Sequence, residues 1–437
     1  MGKQKVLYVM HNHPAVYPGG AEAYAYELYE ALRDSDRIEP LLVARIGSSP
    51  AMKRTSHLGA PFSAVTPGDP NQFFLYTDWE RYDWFQMTSR DKHLYATHLT
   101  DFLRIHKPDV VHFQHVHSIG WDAVSHTRRI LPDVPIVFTL HEYLSICHRD
   151  GQMLRRTGEL CTEASPRRCH ECFPDIPAAD FFLRERFIKS HMEHVDMFLA
   201  PSQFLLERYV DWGIPRDRIR FEDYGRVPRE RAPEPQREPG RQRNRIAFFG
   251  QLNYYKGVDV LLDAMTMLNE RGIDAHLSLH GANLDLQAPE FQQEFAEHLE
   301  ATKRTGNNVA MRGSYRPDQL PQLMAEADWV IVPSRWWENS PLVIQEAFLH
   351  GRPVICGDIG GMAEKVRDGV DGLTFHAGDR TSLAAALERA VTTPGLWDQL
   401  RSGARPVYSM DDHVASLTDL YSGLLEHRMP GERALAR

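Results

Sequence analysis

The sequence predicts an α/β protein made of two doubly wound halves, and three observations carry that prediction. Short apolar runs rich in β-branched residues alternate with segments whose apolar positions recur at helical spacing, the pattern of parallel strands covered by helices. The alternation occurs twice, on either side of a stretch from Arg226 to Asn244. That stretch holds Pro228, Pro233, Pro235 and Pro239 among many charges and hardly any apolar residue, which is linker composition. In both halves glycines occupy turns between strand and helix, where a doubly wound sheet brings its backbone close to a ligand. Two Rossmann-like domains facing a central cleft are expected. They span residues 1–225 and 245–405, joined by the linker 226–244, with a C-terminal helical segment, 406–437, packing back on the first domain.

A chain of 437 residues exceeds what one ordinary core supports. Its apolar fraction of 42% and charged fraction of 25% are those of a soluble globular protein. The formal net charge of -9 argues against a general nucleic-acid binder. No apolar run approaches the ~18 residues of a membrane span. The N-terminus is basic and then apolar, as a signal peptide is. The apolar part ends at Met10, however, and runs into His11-Asn-His-Pro14 without a small-residue cleavage site. It reads instead as the first strand of a cytoplasmic protein whose thiols stay reduced.

Along the first half, Val6–Met10 is a strand, Gly19 and Gly20 form the turn, and Ala21–Leu32 has helical periodicity. Pro40–Ala44 is a second strand. The aromatic tract Phe73, Phe74, Tyr76, Trp79, Tyr82, Trp84 and Phe85 has no clean period. Internal packing is its favoured role, with an acceptor-binding face the alternative. Two further strands, Pro108–His115 and Val134–His141, end on histidine. His112, His115 and His117 lack an explicit metal-ligand pattern. His141, followed by Glu142-Tyr143, stands where doubly wound sheets gather functional residues, though a strand-end histidine bonded to a backbone carbonyl competes with that reading. Phe181–His194 is an amphipathic helix whose Arg184 and Arg186 face solvent or an anionic membrane surface.

Between them lies an insert, 147–172, with Cys147, Cys161, Cys169 and Cys172 in a polar, arginine-containing context. The Cys-x2-Cys pair is the usual half-site of a tetrahedral ion, and two more cysteines complete a set of four. Structural zinc is the expected occupant, with disulfides or free thiols the alternatives. Four thiolates leave no open position for catalysis. Cys356 is separate and reads as a buried strand residue.

The second half restarts with strand Arg245–Gly250, loop Gln251–Gly257 carrying Lys256, and helix Val258–Leu268. The loop suits a diphosphate but lacks the spacing of a P-loop. The most informative stretch is Pro333-Ser-Arg-Trp-Trp-Glu-Asn-Ser-Pro-Leu-Val-Ile-Gln-Glu346, between strand Ala327–Val332 and a helix that Gly351 stops. Ser340 is a natural N-cap and Pro341 a natural first helical residue. The helix start offers amides to phosphate, while Glu338 and Glu346 suit sugar hydroxyls. Together these describe a nucleotide-sugar site.

Glu338-x7-Glu346, continuing through Ala347–Val354 and Gly360-Gly-Met-Ala-Glu364, resembles glycosyltransferase family 4, retaining enzymes of the two-Rossmann GT-B architecture. Gly19-Gly20-Ala-Glu22, His141 and Phe249-Gly250…Lys256-Gly257 match the same pattern. The resemblance implies transfer of a hexose-type sugar, with retention, from a UDP- or GDP-type nucleotide-sugar to a hydroxyl of a glycan, glycolipid or lipid-linked acceptor. It implies no required catalytic metal; the negative charge speaks against a nucleic-acid partner, and peripheral association at the inner face of the membrane is a further expectation. His141, Lys256 and Glu338 are its catalytic candidates. Gly19, Gly20, Gly250, Gln251, Asn339, Ser340, Pro341, Leu342 and Glu346 are its donor-binding candidates. Lys256 neutralises the departing diphosphate, Glu338 holds sugar hydroxyls and Glu346 the ribose. Gln251 departs from the arginine common after the Phe-Gly turn, which puts Arg335 or Arg226 forward as the assisting cation. An epimerase of the same architecture and an inactive, zinc-stabilised sugar-nucleotide binder are the alternatives.

Overall fold

The structure, a computed structural model, describes residues 2–16, 19–47, 62–66, 69–235, 242–306 and 308–428, so linker positions 236–241 lie outside the described residues. The chain divides into two units, Met1–Val227 with Tyr408–Arg437, and Pro228–Val407.

The first unit contains, in order, β1 (Gln4–Met10), α1 (Gly20–Arg33), β2 (Ile38–Ile46), β3 (Phe62–Thr66), β4 (Asp69–Tyr76), β5 (Tyr82–Asp83), β6 (Thr88–Ser89), α2 (Thr100–His106), β7 (Val110–Phe113), α3 (Asp122–Ile130), β8 (Ile136–Thr139), α4 (Pro166–Cys172), α5 (Ala178–Met192), β9 (Met197–Ala200), α6 (Gln203–Trp212) and β10 (Ile219–Phe221). Its main sheet has the order β10-β9-β8-β7-β1-β2-β4-β3 and is parallel except for β3, which runs antiparallel to β4 at the edge. Every residue of β7 and β8 is buried, as strands covered on both faces require. The chain moves outward from β1 in both directions, so the switch point lies between β1 and β7, with His11 and Gln114 just past their ends.

The second unit contains β11 (Arg245–Gln251), α7 (Val258–Glu270), β12 (His276–Ala282), α8 (Pro289–Thr305), β13 (Val309–Met311), α9 (Leu320–Glu326), β14 (Trp329–Val332), α10 (Leu342–Leu349), β15 (Val354–Gly357), α11 (Gly360–Lys365), β16 (Gly372–Phe375), α12 (Arg380–Thr392) and α13 (Leu396–Gly403). Its sheet is parallel throughout, in the order β13-β12-β11-β14-β15-β16, which is the dinucleotide-fold order counted from β11. One apolar layer gathers Leu261, Leu268, Trp329 and Leu387, and another gathers Met324, Val332, Ile344 and Cys356. The switch point falls between β11 and β14, whose carboxyl ends lead into the two loops that carry Lys256 and Glu338.

The last helix, α14 (Met410–Arg428), belongs to the first unit. Its Tyr421 hydroxyl lies 2.9 Å from the Tyr8 hydroxyl and 2.7 Å from His112 Nδ1. His413 bridges the Tyr24 hydroxyl at 2.7 Å and Glu222 at 2.9 Å. Tyr8, Tyr421, His112 and His413 are fully buried, so each needs these partners. His112 also meets Thr139 Oγ1 at 2.8 Å, and burial pushes its pKa down to about 3. It is a core residue, separate in role from His115 and His117.

Among the described residues no helix is long and apolar enough to cross a membrane. Arg184 does not face solvent or lipid. It is buried and donates to the carbonyls of Phe85, Leu144 and Ser145, because the turns around it leave those oxygens without other backbone donors. Tyr421→Phe strips one partner from both Tyr8 and His112. A loss of about 1–3 kcal/mol in unfolding free energy by chemical denaturation is expected, and an unchanged midpoint contradicts it.

Candidate functional site

In the second unit two loops meet backbone to backbone. Gly257 has a left-handed φ of 66°, and a Cβ there would stand 2.1 Å from the Pro333 carbonyl oxygen. Only glycine permits that approach. The approach sets Lys256 Nζ 2.6 Å from Glu338 Oε1. The same oxygen accepts from Ser334 Oγ at 2.6 Å and Trp336 Nε1 at 3.0 Å. Glu338 is 5% exposed, whereas the Lys256 side chain is 28% exposed, so the cation is the accessible member of the pair. Behind them a Cβ on Gly361 would stand 1.4 Å from the Asn339 carbonyl oxygen, and the Gly361 amide donates to the Glu338 carbonyl at 2.7 Å. The Gly360-Gly361 pair therefore forms the seat on which the Glu338–Asn339 backbone lies.

Helix α10 starts one residue later than the sequence suggests. Pro341 has ψ 114°, an extended value, and is the capping residue with no side-chain cap, while Leu342 is the first helical residue. Ser340 thus stands outside the helix, buried with Asn339. Glu346 lies a turn further in. Its charge, second to burial, pushes the Tyr315 phenol up. Tyr315 sits edge-on to Phe249, which stacks on His280 at 4.8 Å.

Both candidate assisting cations have acidic partners of their own, as Lys256 does. Arg335 pairs with Asp259 and lies 4.3 Å over the Tyr254 ring. Arg226 belongs to the other unit, where it is buried against Glu27 at 3.0 Å. Gln251, next to Gly250, is exposed and accepts from Asn253.

In the first unit the switch point collects histidines and acids. His11 Nε2 lies 2.9 Å from Glu22, and His115 Nε2 lies 3.1 Å from Glu142. The His11 and His115 rings are 4.4 Å apart. The His117 ring meets Trp84 edge-on at 5.0 Å, and Trp84 is 38% exposed. His141 places Nδ1 2.5 Å from the Tyr224 hydroxyl and Nε2 3.1 Å from Gln114 Oε1. Since Gln114 Oε1 can only accept, Nε2 carries the proton and Nδ1 accepts from Tyr224. Burial, then the neighbouring His115 and His11, drive the His141 pKa well down. Burial also lowers those of His115 and His117.

The Gly19-Gly20 turn does not offer an open amide cradle. A Cβ on Gly19 would stand 2.3 Å from Glu22 Oε2, so the Glu22 carboxylate covers that end of α1. Burial favours protonating Glu22, but His11, its own amide and Asn12 outweigh this and hold it at about 2. Gln114 and Tyr224 are partners of His141 that motif reasoning missed, whereas Glu22 and Glu142 stand in the stretches it singled out. Gln114 had a positional signal, immediately past β7 at the switch point, whereas Tyr224 had none.

The four insert cysteines are free thiols lining one cavity. Among the described residues no group of three or more His, Cys, Asp or Glu is placed to hold a metal ion, so no ready-made centre is present at the histidines or the thiols.

Two consequences are measurable. Gly361→Ala forces the Asn339 carbonyl aside, and weaker nucleotide binding with a lowered Tm is expected; wild-type values for both would contradict the close approach. The buried histidines set a pH limit. Above about pH 6.5 folded and unfolded chains both hold these rings neutral. Below it only the unfolded chain takes up protons, until the pH reaches the depressed folded values, about 3 for His112. Stability should fall from pH 7.5 to 5.0, by about 1 kcal/mol per fully buried ring near pH 5.5. A Tm that stays level over that range rules this out.

Residues 18–221 match the family model for Glycosyltransferase Family 4, and residues 243–393 match that for Glycosyl transferases group 1. The lipopolysaccharide 1,2-N-acetylglucosaminetransferase of Salmonella typhimurium is 26% identical over 272 residues, covering 60% of this chain and 66% of that protein. Matches to the first curated relatives span between 44% and 66% of their own length. The sucrose-phosphate synthase structure from Thermosynechococcus elongatus superposes with TM-score 0.69 at 17% identity, over 97% of this chain and 100% of that one. Anabaena HepE in complex with UDP-glucose superposes with TM-score 0.64 at 17% identity, over 96% and 99%. At these identities the superpositions establish the fold, two Rossmann-like domains of the GT-B type. With one glycosyltransferase family model on each side of the linker, each matching less than half of the chain, and this fold throughout, the chain is a family 4-like glycosyltransferase.

Proposed function

We propose that the protein transfers a hexose-type sugar, with retention, from a nucleotide-sugar to a hydroxyl of a glycan or lipid-linked acceptor. The observation that carries this reading is the Lys256–Glu338 pair at the switch point of the second sheet. A carboxylate alone would repel a diphosphate, and a cation alone would not read sugar hydroxyls. Set 2.6 Å apart, they divide the labour. An arriving diphosphate takes Lys256, and Glu338, freed from the ammonium, accepts from donor hydroxyls. Charge accumulates on the leaving diphosphate as the glycosidic bond breaks, so the lysine acts where stabilisation matters most. With the lysine drawn away, Glu338 Oε1 still accepts from Ser334 and Trp336, which makes it a poor nucleophile and favours front-side attack by the acceptor.

The UDP-glucose held by a protein of this fold supports a uridine-type donor. The Phe249, His280 and Tyr315 rings beside Glu346 supply flat surfaces suited to a base next to a ribose-binding acid. On the first unit, His141 is held in place through both ring nitrogens by Tyr224 and Gln114, and exposed Trp84 beside His117 suits an acceptor sugar. Gln251, with Arg335 committed to Asp259, favours a second reading, a donor-binding protein without turnover.

A panel of UDP- and GDP-sugars, read by thermal shift and by nucleotide release with and without glycan acceptors, separates the two. Lys256→Ala should lower kcat by about 100-fold or more and weaken diphosphates more than monophosphates. Glu338→Gln should spare nucleotide binding but lose turnover. Stabilisation without release points to the second reading, and neither signal across the panel sinks both.

A further inference from the structure

We infer that Cys147, Cys161, Cys169 and Cys172 form a thiolate site that closes on a single zinc ion. The inference is independent of the transfer reaction. Cys147 comes from the turn after β8, Cys161 follows the Leu154–Leu160 bridge, and Cys169 and Cys172 stand three residues apart on α4, on one helix face. Three separate pieces of backbone thus bring every cysteine of the insert to the wall of the same cavity, about 30 Å³ in volume. That is room for about one small occupant. None of the four is in a disulfide, and Cys356, the remaining cysteine, lies buried in the other unit.

Three further features fit a d¹⁰ ion with sulfur ligands. Four thiolates around a dication leave a net charge of about -2. Arg149, Arg155 and Arg168 also line the cavity; Arg155 and Arg168 pair with Glu171 and Glu163, which leaves Arg149 to offset part of that charge. Finally, α4 buries none of its own residues, so apolar packing does not fix its position and a crosslink would. Among the described residues the thiols are not at ligand spacing as they stand, so the inference requires α4 and Cys161 to close on Cys147 when the ion binds.

The consequence reaches the histidine cluster. Cys147 closes the turn that begins at His141 and Glu142, its amide donating to the Tyr143 carbonyl at 2.7 Å. Arg184 clamps the middle of that turn through the Leu144 and Ser145 carbonyls. An ion at the cysteines clamps its far end, and so acts as a positioning element for His141 and Glu142.

The test uses the full chain purified without chelator. About one zinc per chain by elemental analysis is expected, with the four insert thiols protected from titration in the native protein. The double variant Cys169→Ser/Cys172→Ser should lose the metal and Cys356→Ser should keep it. Because the double variant can also fail to fold, the wild type is stripped with a chelator and its Tm followed. Zinc should restore the loss and magnesium should not. Protein that binds no zinc even when titrated, with all insert thiols reactive, overturns the inference. So does a mass two hydrogens lighter per cysteine pair, which identifies disulfides.

Discussion

A carboxylate held out of water must be matched by a cation and by hydrogen-bond donors, and the second unit is arranged around satisfying Glu338. The sheet order sets β11 beside β14, so the loops leaving them are neighbours. Gly257 lets those loops touch at the backbone, which is the only reason a lysine eighty-two residues away in sequence can reach the acid. Gly360 and Gly361 then allow a third segment to support the acid's own backbone. Three glycine positions and one strand order thus converge on a single oxygen atom. The accessible partner is the lysine, so the pair opens toward an arriving anion and not toward bulk exchange of the acid.

The first unit solves a different electrostatic problem. Its switch point concentrates His11, His115, His117 and His141 within ring contact of one another, which would be prohibitive if they were all charged. Burial disfavours the charged forms of His115, His117 and His141, and two acids, Glu22 and Glu142, lie against His11 and His115. The residues gathered there are polar and aromatic, with these two carboxylates among them.

The strands were legible because parallel strands buried on both faces must be continuous apolar runs; Val134–His141 is such a case, holding β8 with every residue buried. The stretch from Glu338 to Glu346 was legible as a loop and helix because Pro341 fixes φ near a helix start and Gly351 marks the helix stop. What sequence could not show was pairing. The engagement of Arg335 by Asp259 and the burial of Arg184 among carbonyls both depend on segments far apart in the chain. The one-residue shift at Pro341 has another cause: its fixed φ suits both a cap and a first helical residue, and the decision lies in ψ, which composition does not specify. Likewise, a glycine pair reads as an open phosphate cradle until the neighbouring Glu22 is seen lying across it.

Helix α14 carries an implication for how the molecule is made. Tyr8 and Tyr421, hydrogen-bonded in the core of the first unit, are 413 residues apart in sequence, with the whole second unit encoded between them. Contacts of such separation are slow to form, since a long loop must close before it is rewarded. During synthesis the second unit has all its strands before α14 exists. The first unit meanwhile holds Tyr8, Tyr24, His112 and Glu222 without their final partners. The earliest-made half of the chain is therefore the last to be completed, and its polar core is exposed to solvent and to chaperones for longest.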